Sequence, residues 1–173
     1  AHPLVGHLDP QFIVLMNEVQ ELLRTVFQTE NALTIPVSGT GSASMEASLC
    51  NFIEPGDSAL IGVNGYFGER LCDMARRYGA EVRRVEREWG QVFGPEDFEA
   101  ALAQEPAKLV ALVHAETSTG ALQPMAGIAE VVHRHGGLLV MDCVTSLGGM
   151  EVAVDAWGVD VASGVESSPG KKN

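Results

Sequence analysis

Residues 136–149 read GGLLVMDCVTSLGG. Gly136 and Gly137 close a turn, Leu138 to Met141 make an unbroken apolar run, and Asp142 stands where that run stops. A run this short, bounded by turn residues, fits a strand buried on both faces. The pattern recurs along the chain. LTIPVS (33–38), SALIGV (58–63), EVRRVE (81–86), KLVALVH (108–114) and WGVDVAS (157–163) alternate with stretches of helical character near 41–53, near 66–78, in GPEDFEAALAQ (94–104) and in PMAGIAEVVHRHG (124–136). Ahead of them, residues 9–29 place Phe12, Leu15, Met16, Val19, Leu22, Leu23 and Val26 at helical spacing behind an Asp9-Pro10 cap, which predicts an amphipathic helix. Strands alternating with helices imply crossover connections and a mainly parallel sheet covered on both faces. The expected fold class is therefore α/β, a three-layer α/β/α arrangement, in one compact domain over residues 1–173.

Composition narrows the function classes. With 46% hydrophobic and 20% charged residues the chain has the profile of a globular protein, and its net charge of -12 argues against nucleic-acid binding. No apolar run approaches the roughly 20 residues needed to cross a bilayer, so no membrane partner is expected. Cys50, Cys72 and Cys143 lie far apart without a CxxC pair, which points away from zinc and disulfides and toward a reducing, cytoplasm-like compartment.

In parallel α/β folds, ligands gather at the carboxyl ends of the strands. The segments that follow the strands are SGTGSAS (38–44), VNGYFGE (63–69), HAETSTG (114–120) and MDCVTSLGG (141–149), all rich in Gly, Ser and Thr. In the first, Thr40, Gly41 and Ser42 open a helix whose free N–H groups could cradle a phosphate or could simply form a glycine turn. Tyr66 and Phe67 could stack on a planar ring or face the core. Thr117, Ser118 and Thr119 could donate to a phenolic oxygen or cap the next segment. Asp142 could cap a turn or keep a pyridine nitrogen protonated. His114 and Glu116 face one side of a strand, but no further ligand completes a metal site.

The order of these signals, together with QTEN.LT, SGTGSASMEA, EPGD, GYFGER, HAETSTGALQP and DCVTSLGG, resembles the large domain of class V, fold type I, pyridoxal-phosphate aminotransferases. The similarity is greatest to the alanine-glyoxylate and serine-glyoxylate (serine-pyruvate) aminotransferases. The resemblance implies pyridoxal 5'-phosphate as cofactor, a small amino acid and a keto acid as substrates, and a homodimer. It implies that Thr40, Gly41 and Ser42 hold the phosphate, that Phe67 and Val144 pack on opposite faces of the ring, that Thr117 lies near the phenolic oxygen, and that Asp142 pairs with the ring nitrogen. Gly6 and His7 match a segment near the substrate entrance.

In that family a lysine follows the next strand, in a pattern close to D-x-A-Y-S-x-S-Q-K. Here DVAS (160–163) is followed by GVESSPGKKN, which puts Ser168 at the lysine position, with Lys171 and Lys172 beyond Pro169-Gly170. The expectation is a cofactor-binding core without a matched lysine and without the small C-terminal domain. A pyridoxal-phosphate fold kept as a non-catalytic scaffold is the alternative, and a lyase or desulfurase of the same class is a third.

Overall fold

The computed structural model describes residues 4–164. Ser168, Lys171 and Lys172 lie outside the described residues. Helix α1 (Pro10–Phe27) starts as expected: Asp9 accepts from the Gln11 N–H and Pro10 occupies the first turn, where its missing N–H costs nothing. Gln28 in the left-handed region ends it. The helix then departs from a simple amphipathic pattern. Phe27 is buried and Leu23 packs on the core beside it, while Ile13, Val14, Leu15, Leu22 and Val26 remain exposed.

Five parallel strands form the sheet, in the order β2-β1-β3-β6-β7. They are β1 (Ser58–Val63), β2 (Glu81–Glu86), β3 (Leu109–Val113), β6 (Leu138–Asp142) and β7 (Val161–Ser163). The sheet is covered by α2 (Gly41–Cys50) and α3 (Tyr66–Arg77) on one face and by α4 (Pro95–Gln104) and α5 (Ile128–Arg134) on the other. Strand periodicity sorts the core. Leu60, Val110, Leu112, Leu139 and Met141 pack with Phe98, Leu102, Ile128 and Val132, whereas Ala59, Ile61, Leu109, Ala111 and Val140 pack with Met45, Leu49, Leu71 and Ala75. Burial on both faces explains why β1, β3 and β6 read as continuous apolar runs.

One expected strand is missing and a small ribbon is added. LTIPVS forms no strand: residues 33–37 carry no regular pairing, Pro36 offers no N–H for a ladder, and Leu33, Ile35 and Val37 are exposed. Conversely, HAETSTG contains half of a small antiparallel ribbon, β4 (Ala115–Glu116) with β5 (Ala121–Leu122), closed by a turn that Gly120 completes at positive φ. This ribbon springs from the end of β3 and reaches over the strand ends.

Candidate functional site

Asp142 is the last residue of β6, in register with Val113 of β3 and Ser163 of β7. Alternation along β6 sends its side chain to the same side as Val140, toward α2 and α3. It is 4% exposed, and the Val144 N–H donates to its Oδ1 at 3.0 Å. Among the described residues no cation pairs with it. Burial pushes its carboxyl up to about 6, the Val144 N–H opposes that rise, and the charge of Glu116 adds to it. The chain then turns so that Val144 lies against α2. A Cβ on Gly41 would overlap Val144 Cγ1, so this approach requires glycine.

Helix α2 begins at Thr40, whose backbone is extended and whose side chain makes no capping bond. Its carbonyl accepts from Ala43 N at 2.8 Å and from Ser44 N at 3.3 Å. The N–H groups of Gly41 and Ser42 take no acceptor among the described residues. They stand at the positive end of a ten-residue helix, the arrangement that attracts an anion. Arg70 of α3 adds a positive charge alongside, its Nη2 donating to Ser42 Oγ at 3.4 Å.

Helix α3 begins differently. Glu116 of β4, 1% exposed, accepts through Oε2 from the N–H groups of Phe67 at 3.0 Å and Gly68 at 3.3 Å. Its Oε1 accepts from the Ser118 N–H at 3.1 Å and the Ser118 hydroxyl at 2.6 Å, and that hydroxyl accepts from Tyr66 N at 2.9 Å. Phe67 leans on the α2–α3 side of the core, with the Tyr66 ring edge-on at 5.5 Å.

Thr117 is exposed beside these groups, and its hydroxyl shares a hydrogen bond with that of Thr145. Thr40, Gly41, Ser42, Phe67, Thr117, Asp142 and Val144 thus belong to one connected rim, joined through Arg70, Glu116 and Thr145. Sequence reasoning left Arg70 and Thr145 unremarked, and it weighed Glu116 only as a partner for His114. The structure sends those two apart: His114, its imidazole pKa lowered by burial, bonds through Nδ1 to Ser146 Oγ at 2.8 Å. Gly6 and His7 sit in the exposed turn before α1, where the Gly6 carbonyl accepts from Asp9 N, and none of the hydrogen bonds of the described residues ties them to the rim.

Hollows open on the surface of the described residues. A cleft of about 310 Å³ between α2 and α3 is lined by Ser42, Tyr66 and Arg70 among others, adjoining the rim. A wider one, about 670 Å³, opens at the end of α1 beside Asp155. The Asp155 carboxylate there is already taken by the Thr29 hydroxyl and the Glu30 N–H.

The family model described as Aminotransferase class-V matches residues 1–165. The chain belongs to the aminotransferase class-V family. Members of this family are pyridoxal-phosphate enzymes. Among class-V relatives, the (S)-ureidoglycine–glyoxylate transaminase of Bacillus subtilis is 46% identical over 162 residues, covering 94% of this chain and 39% of that protein. The alanine–glyoxylate aminotransferase of Rattus norvegicus is 41% identical over 158 residues, covering 91% of this chain and 38% of that protein. The crystal structure of the alanine–glyoxylate aminotransferase from Nostoc sp. superposes with a TM-score of 0.91 at 59% identity, over 94% of this chain and 43% of that one. The chain therefore spans about two fifths of the length of these relatives, and its fold is that of the fold type I aminotransferases.

Proposed function

We propose that the chain is the cofactor-binding, large-domain portion of an aminotransferase that passes an amino group between a small amino acid, alanine or serine, and glyoxylate or pyruvate. One observation carries the reading: a buried carboxylate that lacks a cation partner among the described residues faces the same side as an uncapped helix start. The donor set fits pyridoxal phosphate at both ends. Free N–H groups and an arginine suit its phosphate, and a lone carboxylate suits its ring nitrogen.

When bound, the cofactor supplies a protonated ring that draws electrons from the carbon losing its proton. The protein's part is to hold it. Gly41 and Ser42 N–H and the Thr40 hydroxyl would bind phosphate, while Phe67 and Val144 would confine the ring from its two faces. Asp142 would keep the proton on the ring nitrogen, and in doing so would gain the positive partner that no described residue supplies. Thr117, its hydroxyl oriented by Thr145, would donate to the phenolic oxygen. Small polar substrates agree with a rim lined by hydroxyls rather than a deep apolar pocket.

A homodimer belongs to the same proposal. The exposed apolar side chains of α1, with Leu33, Ile35 and Val37 after it, make a surface larger than scattered single residues would. A cytoplasmic setting is proposed from the three widely spaced thiols, which are all free. Titrating the protein with pyridoxal phosphate while following cofactor absorbance tests the central reading. Saturable binding, lost in Asp142→Ala, is expected; no saturable binding by the unaltered protein would refute it. Alanine or serine paired with glyoxylate or pyruvate then sorts the substrates by turnover.

A further inference from the structure

Glu116 is a buried carboxylate that the reading above leaves without a task. Its hydrogen bonds run in two directions. One oxygen faces the first turn of α3 and the other faces Ser118, so β4 and α3 are joined across 48 and 49 residues of chain. The approach is tight: a Cβ on Gly65 would overlap the Glu116 carboxylate, and Gly65 leaves the backbone extended just before the helix. Phe67 is the second residue of that helix. Whatever fixes the N–H groups of Phe67 and Gly68 fixes the direction in which the Phe67 side chain leaves the backbone. The same contact also fills the anion-attracting end of α3, leaving the start of α2 as the one on this rim with free N–H groups among the described residues.

We propose that Glu116 is a positioning residue of the cofactor site: through its bonds to the start of α3 it aims Phe67 at the cofactor ring. This rests on the reading of Phe67 as the ring-packing residue. An amide in place of the carboxylate offers a single acceptor oxygen, so Glu116→Gln must turn its NH2 toward either the α3 N–H groups or Ser118. Ser118→Ala is the milder perturbation, removing the acceptor of Tyr66 N and one donor to Glu116.

A double-mutant cycle with Phe67→Ala tests the inference, with pyridoxal phosphate affinity as the readout and urea unfolding measured alongside. Phe67→Ala is expected to weaken binding about tenfold. Glu116→Gln should weaken it to a similar degree in the unaltered protein and less than about twofold in the Phe67→Ala background. Ser118→Ala should show the same pattern with a smaller first step, and it carries the test if Glu116→Gln does not fold. Equal losses with and without Phe67, or a loss of stability with affinity unchanged, would overturn the proposal. Absence of saturable binding by the unaltered protein would instead refute the cofactor reading, and this inference with it.

Discussion

At the start of α3 the chain answers its own helix: Glu116 accepts from Phe67 and Gly68, and Ser118 accepts from Tyr66. At the start of α2, on the same rim, Thr40 makes no side-chain cap and the Gly41 and Ser42 N–H groups have no acceptor among the described residues. Both helices follow glycine-containing loops at the ends of apolar segments, so local chemistry does not separate them. The difference among the described residues is that β4 reaches over α3 and nothing comparable reaches α2. Under the proposed function, the open start of α2 and the buried Asp142, which has no cation partner among the described residues, are the two places that receive the cofactor.

Glu116→Ala leaves the Phe67 and Gly68 N–H groups unsatisfied, and hydrogen bonds to a charged group contribute about 1.5–3 kcal/mol each. Urea unfolding should show a loss of at least about 3 kcal/mol.

Asp142→Asn should act in the opposite direction. The carboxyl is raised from its ordinary 3.8 to about 6, so between those values the folded chain holds more protons than the unfolded one. Stability therefore falls as pH rises through that window, by up to about 3 kcal/mol, and the cost persists above it. The asparagine variant keeps an acceptor for Val144 N and removes the charge. In the cofactor-free protein it should gain about 1–3 kcal/mol at pH 7 and lose most of the pH dependence between about 4 and 6. Its affinity for pyridoxal phosphate should nevertheless fall by tenfold or more.

Ser118→Ala should cost about 1 kcal/mol, the usual value for a capping side chain, whereas Thr40→Ala should stay within about 0.5 kcal/mol because no capping bond is lost. Thr40→Ala should still weaken cofactor binding. A stability loss at Thr40 as large as that at Ser118 would remove the distinction between the two helix starts. The exposed apolar face of α1 predicts association, measured by light scattering; a Leu15→Glu, Leu22→Glu variant should shift the protein toward monomer.

Much of the fold was legible because β1, β3 and β6 are buried on both faces, and continuous apolar runs between turn residues have few other readings. LTIPVS misleads for the same reason that those succeed: it is apolar, yet Pro36 offers no N–H and no strand among the described residues pairs with it. The ribbon of β4 and β5 escaped because two-residue strands are too short to show alternation. Asp142 and Gly41 could be read from their places at a strand end and a helix start. Glu116 could not, since its partners on α3 lie nearly fifty residues away and only the folded chain brings them together.

The most direct measurement of the open and closed helix starts is a backbone amide NMR titration with pyridoxal phosphate, using pyridoxal, which lacks the phosphate, as the control. The expected result is that the Gly41 and Ser42 amides shift with the phosphorylated ligand and not with the control, while the Gly68 amide, held by Glu116, does not respond to the phosphate. Phosphate-dependent shifts at Gly68 with none at Gly41 and Ser42 would contradict it.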